Sequence, residues 1–121
     1  MRVLAVDDDD DFLEVLRWHL EQAGIETRTA SSGQDALDLL EAERFDAALV
    51  DLIMPVMDGR ALVRHIRARP RHADLPIVMM THMSNVGRID PAEPLDARHF
   101  VNKMGEPAWL IHMVRELAGR R

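Results

Sequence analysis

The sequence predicts an α/β protein in which a parallel β-sheet carries helices on both faces. Five short apolar runs of the strand type alternate with segments of helical periodicity along the chain. Strict alternation of this kind requires crossover connections, which produce parallel sheets covered on both sides. Several of the runs also end on a polar or charged residue, where ligand sites of such sheets lie. We expect one compact domain over residues 1–121.

Composition narrows the class of protein. The chain is 47% hydrophobic and 30% charged, as in folded soluble domains. Its formal net charge of −6 argues against direct binding of nucleic acid, and the absence of cysteine excludes disulfides and thiolate zinc sites. No apolar run is long enough for a membrane span, and the start turns acidic too early for a signal peptide. We expect a cytoplasmic location and no membrane partner.

The first strand–helix pairs are clear from the apolar pattern. Residues 3–6 form a buried run that stops at Asp7 and Asp8. A helix with an apolar stripe follows and ends at Gly24, after which residues 25–29 alternate as a short strand. Ser31 or Ser32 is placed to cap a second helix. The stripe of the first helix consists of Phe12, Val15, Leu16, Leu20 and Ala23.

The second half repeats the pattern with one irregular segment. The central strand, residues 47–50, ends at Asp51, and a third helix runs from about 60 to 69. A fourth strand, residues 75–80, ends at Thr81. Because prolines disrupt a helix interior, Pro91 and Pro94 predict a short or irregular helix in segment 84–95. Residues 99–102 form a brief fifth strand, and a last helix covers 106–117. The apolar side of that helix is Trp109, Leu110, Met113, Val114 and Leu117.

The residues at the strand ends suggest chemistry. Asp7, Asp8, Asp51, Thr81 and Lys103 follow four strands whose carboxyl ends share one edge of a parallel sheet. Crowded carboxylates repel one another, and a hard divalent cation with oxygen ligands relieves that repulsion. Magnesium fits best, because it uses few protein carboxylates and leaves positions for water and phosphate. The arrangement predicts phosphoryl chemistry that depends on positioning and charge neutralisation.

The order and spacing of these residues resemble a known family. The matching motifs are Val6-Asp7-Asp8, Asp51 with Met54-Pro55 and Asp58-Gly59, Thr81, and Phe100 with Lys103. Together they resemble the receiver domain of response regulators, the CheY-like phosphoacceptor of two-component signalling, over essentially the whole chain. The resemblance implies a flavodoxin-like (βα)5 three-layer sandwich with strand order 2-1-3-4-5.

The resemblance also implies roles for the acidic residues. Asp51 would be the nucleophile that takes a phosphoryl group from the phosphohistidine of a sensor histidine kinase or phosphotransfer protein. Asp8 and Asp51 would bind Mg²⁺ directly, Asp7 would bind it through water, and Ile53 would contribute its backbone carbonyl. Such a domain catalyses its own phosphorylation and is not an enzyme with turnover on an external substrate.

Three further residues would transmit the signal. Lys103 would pair with the phosphoryl oxygens, Thr81 would swing toward the phosphoryl group, and Phe100 would follow as the aromatic switch. The output would be a changed surface that binds a downstream effector or partner protein. Homodimerisation through the fourth and fifth helical face is a further implication.

The sequence departs from the family pattern at several positions. His82 occupies a position that is usually small, and Met104 replaces the proline that usually follows the lysine. A cis bond before a non-proline residue costs about 3 kcal/mol, so a trans bond that displaces Lys103 is expected. Ile53 and Met83 replace polar residues that influence loss of the phosphoryl group, which predicts a long-lived phosphorylated state. The prolines of segment 84–95 shift partner binding toward Phe100 and the last helix, around Trp109 and His112.

Other readings use the same residues. A pseudo-receiver would keep the acids but act as a phosphorylation-independent interaction domain, which His82 and Met104 favour. A haloacid-dehalogenase-type phosphatase needs a second acid where this chain has Ile53. A flavin-binding module of similar fold needs a Ser/Thr/Gly-rich phosphate loop after the first strand, whereas here the run from Asp7 to Asp11 would repel the anionic cofactor. Within that run, Asp10 or Asp11 is expected to support the N-terminus of the first helix.

Overall fold

The computed structural model of the chain describes residues 1–82, 99–103 and 105–119, with the backbone alone at 99 and 100. In these ranges the strands are β1 Arg2–Val6, β2 Glu26–Ala30, β3 Ala47–Asp51, β4 Ile77–Thr81 and β5 His99–Asn102. The helices are α1 Asp10–Gln22, α2 Gly33–Ala42, α3 Gly59–Arg67 and α4 Pro107–Ala118, with a short 3-10 turn at Pro70–His72.

All five strands form one parallel sheet in the order β2-β1-β3-β4-β5. This confirms the α/β flavodoxin-like fold and the strand order predicted from the sequence. The register aligns Val6 of β1 with Val50 of β3, and Asp51 at the end of β3 with Met80 of β4. The residues that follow β1, β3, β4 and β5 therefore meet at one edge of the sheet.

Each face of the sheet buries its own hydrophobic core, because alternate residues of a strand point to opposite faces. Leu4, Val6 and Val50 pack with α2 and α3 on one face. Val3, Ala5 and Leu49 pack with α1 and α4 on the other face. The sheet is thus the middle layer of a three-layer sandwich, with one hydrophobic core on each face.

Side chains at the strand–helix junctions cap three helices. The carboxylate of Asp9 accepts a hydrogen bond from the Phe12 amide at the start of α1, 3.1 Å. Ser32 caps α2 and Asp58 caps α3 in the same way. Each cap stabilises its helix by about 1 kcal/mol. The expectation that Asp10 or Asp11 supports α1 is refined, since these two residues form its first turn and Asp9 is the cap.

Two predicted core residues are exposed instead. Val15 of α1 is 58% exposed and Trp109 of α4 is 68% exposed, although both belong to the predicted apolar stripes. The side chains that α1 and α4 bury include Leu13, Leu110 and Val114. Leu13 was missed because the stripe was drawn through Phe12, one residue before it, and Val15, two residues after it.

Several sequence predictions lie outside the described residues. They are the irregular helix in segment 84–95 with Pro91 and Pro94, the residues Met83 and Met104, and the side chain of the expected switch residue Phe100. Among the helices of the described ranges, none has the length and apolar character that crossing a bilayer requires.

Candidate phosphoacceptor site

Three carboxylates meet at the carboxyl edge of the sheet. Asp51 is the last residue of β3, and Asp7 and Asp8 directly follow β1. Ligand oxygens of the three side chains lie within 4.8 Å of one another. Asp7 and Asp51 are buried and Asp8 is exposed, so the cluster opens to solvent on one side. The sequence prediction that these three acids converge is confirmed.

Lys103 brings a cation to the same cluster. Its Nζ lies 2.6 Å from Oδ2 of Asp7 and 3.6 Å from Oδ2 of Asp51, and its side chain is only 6% exposed. Its backbone amide donates to the carbonyl of Thr81, 3.0 Å, which ties the lysine to the end of β4. The expectation that Met104 displaces the lysine is therefore wrong: Lys103 points into the acidic pocket.

The electrostatic environment of the pocket disfavours the ionised form of the Asp51 carboxyl group. Burial, together with repulsion from Asp7 and Asp8, raises the pKa of Asp51 from 3.8 to about 7, although Lys103 lowers it. One ammonium against three carboxylates leaves the pocket with excess negative charge. The arrangement therefore favours binding of a further cation or of a proton.

Thr81 and Ile53 lie beside the pocket with their own contacts. Thr81 is buried at the end of β4, and its hydroxyl donates to the carbonyl of His82, 3.1 Å. The hydroxyl is thus turned toward its own chain in this structure. Ile53 is half-buried and packs against the core beneath α2 and α3. His82 is exposed, and its backbone carbonyl accepts the hydrogen bond from the Thr81 hydroxyl.

The loop between β3 and α3 is packed closely against Asp51. A Cβ at Gly59 would collide with the backbone carbonyl oxygen of Asp51, so glycine is required there for close packing. Within the loop, the Met57 amide donates to the Pro55 carbonyl, 2.8 Å, and Val56 between them has φ of 67°. This is a γ-turn with positive φ, a strained conformation for a β-branched residue. The Val56 side chain is fully exposed, so its packing does not repay the strain.

Substitution of Val56 by glycine should therefore stabilise the fold. Relief of the positive φ outweighs the greater freedom of glycine in the unfolded chain, and the free energy of unfolding should rise by about 1 kcal/mol. Urea denaturation measures the change, with Val56→Ala as the control that keeps the Cβ atom and the strain. A loss of stability in Val56→Gly would show that the turn is not strained.

An aromatic contact that the sequence analysis missed completes the pocket. The ring of Phe12, in the first turn of α1, lies with its centroid 4.6 Å from Nζ of Lys103. Phe12 was assigned to the core stripe, but it is half-exposed and lines a groove of about 500 Å³ between α1 and α4. The signal in the sequence is its spacing: Phe12 comes three residues after Asp9, which caps α1, so it lies in the first turn of the helix next to the pocket.

An acidic cluster with a buried lysine, at the carboxyl edge of a doubly wound sheet, defines a class of phosphoacceptor proteins. Comparison with known families identifies the class: the response regulator receiver domain matches residues 3–115. This chain belongs to that family. Its members are the phosphoacceptors of two-component systems rather than enzymes with turnover.

Individual relatives agree with the assignment. The chain is 33% identical over 118 residues to the transcriptional regulatory protein GltR of Pseudomonas aeruginosa, covering 98% of this chain and 49% of GltR. It spans about half the length of the longer curated relatives that it matches.

Solved structures show the same fold. A response regulator from Chloroflexus aurantiacus superposes with a TM-score of 0.89 at 33% identity, covering 98% of both chains. The receiver domain of the sensor histidine kinase PA1611 from Pseudomonas aeruginosa superposes with a TM-score of 0.88 at 25% identity, covering 98% of this chain and 97% of that one. That neighbour has a magnesium ion coordinated in its active-site cleft.

Proposed function

We propose that residues 1–121 act as a receiver domain that accepts a phosphoryl group on Asp51 in a Mg²⁺-dependent reaction. The observation that carries the proposal is the geometry of the pocket. Oxygens of Asp7, Asp8 and Asp51 lie within 4.8 Å of one another, and the Lys103 ammonium lies against two of these three side chains. The Lys103 side chain is buried in the pocket and is not part of an exposed binding surface, so the phosphoacceptor function is favoured over the phosphorylation-independent interaction domain.

The donor set fits magnesium. All three acidic side chains offer hard oxygen atoms, and burial together with repulsion from Asp7 and Asp8 raises the pKa of Asp51, which a bound cation would offset. Asp8 and Asp51 would hold the ion directly, Asp7 would hold it through water, and Ile53 would add its backbone carbonyl. A bound ion would supply neutralisation of the negative charge that gathers around the phosphoryl group.

The remaining residues perform the transfer. A carboxylate oxygen of Asp51 attacks the phosphorus of a phosphohistidine, so that an O–P bond forms while the P–N bond breaks. The electron pair of the broken bond returns to the imidazole nitrogen of the donor. Lys103 is already 3.6 Å from Asp51 and pairs with the phosphoryl oxygens. Thr81 gives up its bond to the His82 carbonyl and turns its hydroxyl toward the phosphoryl group.

Acetyl phosphate tests this proposal without a partner protein. Incubation of the chain with acetyl phosphate and Mg²⁺ should add one phosphoryl group, detected by intact-mass spectrometry. The same incubation with EDTA in place of Mg²⁺ is the control and should give no adduct. An unmodified mass in the presence of bound Mg²⁺ would favour the phosphorylation-independent interaction domain instead.

The phosphorylated state should persist. Ile53 follows Asp51 by two residues, and its half-buried apolar side chain packs against the core, whereas a polar side chain at this position could position an attacking water. Ile53→Asn should therefore speed the loss of the phosphoryl group by about tenfold, which is less than the roughly 10²- to 10⁴-fold that a fully positioned acid or base contributes. The decay of the adduct after removal of acetyl phosphate measures this, with Ile53→Val as the apolar control. Equal decay in the Asn and Val variants would exclude water access at Ile53 as the cause.

Membership of the family implies a histidine kinase as a partner. We further propose that an effector or partner protein, or a second copy of the chain, binds the face formed by β5 and α4. Trp109 is 68% exposed and its ring contacts His112 edge-on, with centroids 6.5 Å apart. Trp109→Ala and His112→Ala should weaken binding to the purified partner in calorimetry. Unchanged binding in both variants would move the interface elsewhere.

A further inference from the structure

The ammonium of Lys103 is enclosed on two sides by groups of different chemistry. Carboxylates of Asp7 and Asp51 lie on one side, at 2.6 and 3.6 Å from Nζ. The ring of Phe12 lies on another side, with its centroid 4.6 Å from Nζ. Such a distance is within the range of a cation–π interaction, which attracts an ammonium to the face of the ring.

The backbone at Phe12 is linked to the acidic pocket by hydrogen bonds. Oδ1 of Asp7 accepts a hydrogen bond from the Asp9 amide, 3.0 Å, and the Asp9 carboxylate accepts one from the Phe12 amide, 3.1 Å. The other oxygen of Asp7 pairs with Lys103. The contacts therefore form a closed loop from Asp7 through Asp9, Phe12 and Lys103 back to Asp7. Each member of this loop limits the movement of the next.

An acidic residue lies on the groove that Lys103 also lines. Phe12 and Lys103 both line the groove between α1 and α4, and Glu106 lines the same groove. Glu106 is exposed, so its carboxylate offers the ammonium a competing partner near solvent. An aliphatic side chain at position 12 would keep the apolar contact but would lose the attraction of the ring for the cation.

We propose that Phe12 is a positioning residue that holds the Lys103 ammonium between Asp7 and Asp51. The inference rests on the proposed function, since the lysine is held where it pairs with the transferred phosphoryl group. It also accounts for the retention of Lys103 in the pocket despite Met104, which replaces the family's proline.

The test compares Phe12→Leu with Phe12→Trp. Both keep an apolar side chain and the backbone amide that Asp9 caps, but only Trp keeps an aromatic face, and the open groove has room for it. With saturating Mg²⁺ and acetyl phosphate, the rate of Asp51 phosphorylation should fall about three- to tenfold in Phe12→Leu. The rate in Phe12→Trp should stay within about twofold of the rate in the wild-type chain. Val15→Ala, in the same groove, is the control and should leave the rate unchanged.

A double-mutant cycle separates positioning from general damage. In a Lys103→Met background the Phe12→Leu change should have no further effect on the residual rate. An equal slowing in that background, or no rescue by Trp, would overturn the proposal.

A second readout does not depend on phosphorylation. In NMR spectra the Lys103 side-chain protons should show an upfield ring-current shift that Phe12→Leu removes and Phe12→Trp retains. If the wild-type chain accepts no phosphoryl group, the proposed function fails. The ring-current shifts still decide in that case whether Phe12 positions the lysine. If the Lys103 side-chain protons of the wild-type chain show no upfield shift, the positioning role of Phe12 is overturned.

Discussion

Substitution of Asp51 by asparagine should abolish phosphorylation and stabilise the Mg²⁺-free fold. The amide lacks the carboxylate nucleophile, so no adduct should form with acetyl phosphate. The pKa of Asp51 is raised from 3.8 to about 7, so the folded state binds a proton that the unfolded chain releases across this window. Stability of the Mg²⁺-free protein therefore falls as the pH rises from about 4 to about 7.

Asparagine removes this penalty because it does not titrate. Above pH 7 in EDTA, Asp51→Asn should be more stable than the wild-type chain, and the difference should vanish near pH 4. The gain should be roughly 2 kcal/mol, less than the roughly 4 kcal/mol that the full pKa shift corresponds to, because asparagine also loses the pairing with Lys103. Saturating Mg²⁺ should reverse the order, because the ion stabilises only the chain that binds it well. Urea denaturation at both pH values measures the effect. Equal stability in EDTA above pH 7 would mean that Asp51 carries no electrostatic strain.

Magnesium affinity should depend strongly on pH. Below about pH 7 the protonated Asp51 must lose its proton before it can ligate the ion, so the Kd for Mg²⁺ should rise about tenfold per pH unit. Between pH about 7 and about 5 the loss of affinity should approach 100-fold. Isothermal titration calorimetry in buffers of different ionisation enthalpy should show nearly one proton released per ion near pH 6.

The matched control for this prediction is again Asp51→Asn. It should bind Mg²⁺ more weakly at pH about 8, but its remaining affinity should change little down to about pH 6. The same pH dependence in both proteins would assign the titrating group to a residue other than Asp51.

The strands and most of the site could be predicted because their signals are local. Buried parallel strands are short apolar runs, and Asp7, Asp51 and Thr81 come at or directly after the ends of such runs. The register of a parallel sheet then places these ends on one edge without further information. Convergence of the acids thus followed from the topology alone.

Other features depend on contacts that local patterns do not contain. The exposure of Val15 and Trp109 depends on how α1 and α4 pack against each other, and helical periodicity shows only that a stripe exists. The position of Lys103 was predicted from one neighbouring residue, Met104. In the structure its ammonium lies against Asp7, which follows β1, and Asp51, the last residue of β3, and near the ring of Phe12 on α1.

The most direct test of the central claim is to locate the phosphoryl group in the wild-type chain. After incubation with acetyl phosphate and Mg²⁺, borohydride converts an aspartyl phosphate to homoserine, and peptide mass spectrometry then finds the modified position. We expect homoserine at position 51 and no modification at Asp7 or Asp8. Homoserine at Asp8, or an unmodified peptide around Asp51, would contradict it.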